Sequence, residues 1–131
     1  MSNLTPDQLE EISDYLDKSV DLIDSYQSEH YGSISDSDHD KIDIAELKIM
    51  QIANRLRVQA IIISVENSTE FLDGIRNATK KIQDTIQTIN EVGKVINLAT
   101  SVVSLGLSIA TSNIGKAKTS LEDIVSILDD N

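Results

Sequence analysis

The chain has 131 residues, a length that suits one domain whose core buries roughly two thirds of the unfolded surface. It has no cysteine, one proline, five glycines, one Phe and no Trp, which excludes disulfides and thiolate metal sites and argues against a turn-rich β fold. The net charge of −11 weighs against direct nucleic-acid binding.

That charge is unevenly placed. Residues 1–46 carry 13 acidic side chains against Lys18 and Lys41, whereas residues 47–131 carry nine of each sign. An acidic front and a mildly basic rear are expected to attract each other, within one fold or between copies. The first residues show neither a basic segment nor an apolar one of the kind a secretory signal needs, so a cytoplasmic address is the expectation.

Thr5-Pro6-Asp7-Gln8 reads as a helix start with a capping box, and a first helix is expected over residues 6–28. Leu9, Ile12, Leu16, Val20, Ile23 and Tyr26 form its apolar stripe. Glu10, Asp14, Asp17, Asp21 and Asp24 repeat at the same spacing on the other side, a candidate docking surface for a basic partner. Arg55, Arg57, Arg76, Lys80 and Lys81 are candidates to pair with that stripe, with Arg76, Lys80 and Lys81 as a candidate basic face.

Residues 29–40, rich in Ser, Asp, Gly and His, read as a polar loop from which Asp38 or Asp40 caps the next helix. Asp36-Ser37-Asp38-His39-Asp40 begins like a calcium loop, but Lys41 stands where Gly is required and Leu47 where the bidentate Glu is required. His30 and His39 in this loop read as solvent-exposed side chains. A second helix is expected over residues 41–66, its Ala60-Ile61-Ile62-Ile63 run at the centre of the fold.

Asn67 and Glu70 mark the next start. From Phe71 through Ile75, Ala78, Ile82, Ile86, Ile89, Val92 and Ile96 the apolar stripe hardly breaks. A helix continuing to Ser112 would be about 65 Å long, too long for a small compact bundle, so a bend or break is expected near Gly93. The last element is expected over residues 114–129, after a kink near Asn113 or Gly115. The sum is an all-α, antiparallel bundle of four to five helices in one domain, with an elongated coiled-coil hairpin as the alternative.

Residues 94–116 contain no charge between their terminal lysines, which raises the choice between a membrane segment and a buried helix. Asn97, Ser101, Ser104, Ser108 and Thr111 fall on one side, and a helix surrounded by lipid needs no such stripe. The favoured reading is a bundle helix, with Ile96, Ala99, Val103, Gly106, Leu107 and Ala110 as the candidate packing or membrane segment and Gly106 and Ala110 permitting close helix approach.

No phosphate-cradling glycine loop, nucleophile elbow or metal-spaced histidine pair appears, so no catalysis, metal or cofactor is expected. The leading expectation is an interaction or regulatory module, with a protein partner or a second copy, that uses the acidic first helix. The alternatives are conditional membrane insertion through residues 95–115 and an acidic mimic of a nucleic acid.

Overall fold

Side-chain caps set the helix starts. The Gln8 amide donates to Thr5 Oγ1 at 3.1 Å while the Thr5 amide donates to Gln8 Oε1 at 2.9 Å; with Pro6 in the first position they start helix α1 (Pro6–Glu29) as expected. The computed structural model describes residues 2–59 and 61–130. Among them, α1 is followed by α2 (Asp36–Val58), α3 (Ser68–Thr85), α4 (Val92–Ala110) and α5 (Ile114–Asp129). Two two-residue strands, β1 (Ser2–Asn3) and β2 (Ser64–Val65), pair antiparallel.

Ion pairs and hydrogen bonds fix the helix directions. Asp14 meets Arg57 near one end of α1 and α2, and Gln27 meets His39 near the other, so the two run antiparallel. Ser104 meets Ser120, and Lys94 reaches the Asp130 carbonyl, which makes α4 and α5 antiparallel as well. Arg76 reaches back to Glu11 while Tyr26 donates to the Ile89 carbonyl, so α3 runs parallel to α1. Consecutive helices therefore alternate in direction, yet in space they close a circuit in the order α1, α2, α4, α5, α3, with α1 also touching α4. One cluster from Leu4 to Leu128, aliphatic except for Tyr26 and Phe71, fills the interior.

Three boundaries differ from the sequence reading. The expected loop over residues 29–40 is shorter, because Ser35 rather than Asp38 or Asp40 caps α2: its hydroxyl accepts from the Asp38 amide at 3.1 Å. Asp36 and Asp38 then sit in the first turn, where carboxylates offset the helix dipole, so a composition typical of loops is also that of a helix start.

The expected helix over residues 41–66 ends at Val58. Ile63 and Val65 are buried at 0% and 2% exposure while Ile62 between them is 77% exposed, the two-residue alternation of extended chain. Leu4 donates to the Ile63 carbonyl at 2.8 Å, so the β-branched run finds its backbone partner in the N-terminal strand. Ala60 lies outside the described residues.

The long stripe from Phe71 onward breaks at residues 86–91, before Gly93, which falls inside the first turn of α4. Thr85, Ile86, Thr88 and Ile89 crowd β-branched side chains together, and Thr88 Oγ1 donates to the Thr85 carbonyl at 2.7 Å. Ile86 and Ile89 stay buried through the turn, which is why the apolar periodicity runs across it unbroken.

The α4–α5 corner falls where the kink was expected. Ser112 adopts φ 60, and the Ser112 and Asn113 amides donate to the Ile109 and Ser108 carbonyls at 3.0 and 2.7 Å, a Schellman closure with serine in the place usually taken by glycine. Asn113 then caps α5 by accepting from the Lys116 amide at 3.1 Å.

Ile63→Ala is expected to cost about 2–5 kcal/mol in chemical denaturation and Ile62→Ala less than about 0.5 kcal/mol. Similar losses at both positions would contradict the extended, alternating backbone at residues 61–65.

Candidate functional site

The acidic stripe of α1 is divided. Asp14 and Asp17 both hold Arg57 Nη2 at 2.7 Å and so tie α1 to α2. Each such part-exposed pair contributes about 0–1 kcal/mol, but together they fix which way α2 faces. Glu10, Asp21 and Asp24 remain exposed, with no side-chain hydrogen bond or ion pair among the described residues. Each of the residues named as a basic face is engaged by a carboxylate. Arg76 bonds Glu11, Asp73 and the Tyr15 hydroxyl, each at 2.8 Å; Lys80 pairs with Asp84 on its own helix, and Lys81 with Asp129 of α5. Arg55 donates to Gln59 at 3.0 Å.

His39 is buried at 7% exposure, contrary to the exposed loop side chain expected, because α2 begins before it and turns it inward. Its Nδ1 accepts from Gln27 Nε2 at 2.8 Å and its Nε2–H donates to the Tyr31 carbonyl at 3.0 Å. His30 is half-buried and stacks on Tyr26 at 4.0 Å, its Nδ1–H donating to the Tyr26 carbonyl. These bonds pin the α1–α2 turn. No group of three or more His, Cys, Asp or Glu side chains suited to a metal ion occurs among the described residues.

Beside this network lies Glu46, 8% exposed, its Oε2 without a hydrogen-bond partner among the described residues. Burial, and then the charges of Asp24 on α1 and Asp43 on its own helix, push its carboxyl up to about 7. Glu46 stands between Ala45 and Leu47 in the chain, and which face of α2 is covered by α1 is not readable from that local pattern.

Helix α4 is packed between α2 and α5. Val95, Leu98, Ala99, Val102, Leu105, Gly106, Ile109 and Ala110 are buried. A Cβ built on Gly106 would stand 3.0 Å from Ile52 Cγ2 and 3.4 Å from Leu16 Cδ1, so the glycine permits the close approach to α2 and α1 that its spacing suggested. The hydroxyl stripe faces α5: Ser104 and Ser120 hydroxyls are 2.9 Å apart, and buried Ser108 donates to the Ser104 carbonyl at 2.6 Å. Ile96 and Val103 are half-buried and Leu107 is 45% exposed, all on the flank next to α2. Over its 19 residues α4 has a mean hydropathy of 1.5, making it long and apolar enough to cross a membrane by length and composition.

The sequence reading missed what lies opposite that flank. Ile44, Ala45, Lys41 and Lys48 of α2 and Ile96, Thr100 and Val103 of α4 line an open groove of about 260 Å³. Ile44 is 55% and Leu47 53% exposed, and Val58 and Ile62 extend the apolar surface beyond the groove at 70% and 77%. Lys41, Lys48 and Arg55 follow its edge at seven-residue spacing, as do Ile44, Gln51 and Val58. That second period was the available signal in the sequence. Comparison of the chain with protein-family models, with curated proteins and with solved structures finds no match.

Glu46→Gln tests the buried carboxyl. A folded pKa raised above the ordinary carboxylate value means that the folded state holds the proton longer, so native stability falls as pH rises from about 4.5 through about 7. The variant is expected to match the parent near pH 4.5 and to exceed it by about 2–3 kcal/mol above pH 7, in urea melts across that range. An advantage independent of pH would contradict the assignment.

Proposed function

We propose that the chain is a non-catalytic interaction module that binds another protein through an exposed helix face, the seam between α2 and α4. The observation that carries this reading is the apolar surface left open there. Ile44, Leu47 and Leu107 are each about half exposed, and Ile44 lines the open seam together with Ile96 and Val103. A folded chain keeps such a strip at a cost in solubility, which contact with a partner offsets.

In this reading the acidic α1 has two duties. Asp14 and Asp17 hold the bundle together through Arg57, while Glu10, Asp21 and Asp24 keep the opposite side hydrated and bias which partners approach. Ile44→Asp and Leu107→Asp are expected to leave the helical circular dichroism unchanged, since both side chains are about half exposed. Each is expected to lower capture of binding proteins from a lysate of the native cells by more than about tenfold, whereas Asp21→Lys with Asp24→Lys changes capture less. Capture that is equal for intact chain and both groove variants would contradict the reading.

A second reading rests on the length and hydropathy of α4, which suit a helix that leaves the bundle for a bilayer. It requires α4 to give up its contacts with both α2 and α5. Dye release from anionic liposomes by the intact chain, lost in a folded Val103→Asp, Leu107→Asp variant, would support insertion; no release at neutral or mildly acid pH removes it.

A further inference from the structure

The interaction reading can be carried to the chemistry of the partner. We propose that the α2–α4 groove receives an amphipathic helix whose apolar stripe is flanked by Asp or Glu at about seven-residue intervals. The assignment rests on the interaction reading above, and three observations favour this occupant.

The first is shape. Asp14–Arg57 sets α2 against α1, and Ser112 Oγ donates to the Ile62 carbonyl at 3.3 Å, which joins the chain just after α2 to the end of α4. With Gly106 against Ile52, these contacts run α2 and α4 alongside each other in one direction, leaving a trough between them. The trough is floored by Ala45 and walled by Ile44, Ile96 and Val103. A ridge of side chains at i, i+3, i+4 and i+7 fits such a trough, which is how one helix lies on two others. A flat bilayer surface does not enter it.

The second is length. The groove is lined over about two turns, from Lys41 to Lys48 on α2 and from Ile96 to Val103 on α4, and the cation edge continues to Arg55, about 21 Å from Lys41. A helix of about 14–18 residues spans that edge.

The third is charge. Along α2 from Ile44 to Val58 the exposed ionic side chains outside the α1 contact are Lys48 and Arg55, and Glu46 is turned inward; one turn earlier Lys41 stands beside Asp38 and the exposed Asp40. On α4 the one charged residue is Lys94, which donates to the Asp130 carbonyl at 2.8 Å. Lys48 has no side-chain partner among the described residues, and Lys41 meets Asp38 at a long 3.8 Å. The cations Lys41, Lys48 and Arg55 thus stand about 10.5 Å apart along one edge of the groove, two turns each. Carboxylates at the same interval on a docked helix meet them in register.

Shape decides between this occupant and an anionic membrane: anything seated in the groove lies within the screening length of about 8–10 Å of these cations and beyond it from the acidic α1 side, but a narrow helix enters the trough and a flat bilayer surface does not. A second copy is disfavoured by the same cations, because symmetric pairing of two such grooves brings lysine against lysine.

The test is selection from a phage-displayed library of helices about 18 residues long, with Leu fixed at an i, i+3, i+7 stripe and the flanking positions randomised. Selection on the intact chain is expected to enrich Asp and Glu at seven-residue spacing. A selected peptide is expected to lose about tenfold or more in affinity for Lys48→Glu and for Val103→Asp, to lose less for Lys48→Gln, and to bind more weakly as salt rises. Circular dichroism confirms that each variant is folded.

Enrichment of basic or neutral flanks, or peptides indifferent to Lys48→Glu, would overturn the assignment. So would a dimer in sedimentation that Leu107→Asp dissolves, or adsorption to phosphatidylserine vesicles that Lys48→Glu abolishes. The two proposals fail separately. Capture from lysate that is lost in Ile44→Asp yet unchanged in Lys48→Glu sinks the acidic helix and leaves the interaction module standing; capture unchanged in both sinks the two together.

Discussion

The bundle depends on how closely α4 approaches α2 and α1. A Cβ at residue 106 would meet Ile52 Cγ2 at 3.0 Å, a contact that Ile52 could accept only by giving way by a few tenths of an ångström, and glycine spares it that shift. Ala99 and Ala110 on the same helix are also small and buried. With the axes this close, Val95, Leu98, Val102, Leu105 and Ile109 reach the common interior, where each fully buried branched side chain contributes about 1.5–3 kcal/mol. The polar side is resolved locally. Ser108, Ser120, Ser13, Ser19 and Thr79 each donate to the carbonyl four residues earlier, so buried hydroxyls cost little and the core stays free of unsatisfied donors there.

Beside that contact lies the open seam. Ile44, Ile96, Thr100 and Val103 line it, and Leu107 continues the same side of α4 at 45% exposure. The acidic excess of the front segment answers a different need: part of it holds Arg57 and Arg76, and the rest keeps water on the α1 side of the molecule.

The all-helical architecture, the start of α1 and the whole of α5 were legible because caps and helical periodicity agreed at those places. The errors fell where one signal carried two meanings. A carboxylate-rich stretch is both a loop and a helix start, and only the Ser35 hydroxyl separates them. Ile61-Ile62-Ile63 suits a helix interior or a strand, and the extended form is held by the Leu4 bond to Ile63 and the pairing of Ser2 and Asn3 with Val65 and Ser64, some 60 positions away in sequence. Ile86 and Ile89 keep helical spacing through a turn because burial, not backbone conformation, sets the pattern. The groove and the buried Glu46 were not legible, since both depend on which helices become neighbours, and local spacing does not encode the order α1, α2, α4, α5, α3.

The placement of α4 is the claim on which the fold and the binding surface both rest. The absence of native cysteine allows a direct measurement: single cysteines at Ala99, Val102, Thr100 and Leu107, each labelled with a maleimide under native conditions. The account predicts labelling at Thr100→Cys and Leu107→Cys at close to the unfolded rate, and protection of Ala99→Cys and Val102→Cys until the chain unfolds. Equal labelling at all four positions, or protection at Leu107→Cys in a monomeric sample, would contradict it.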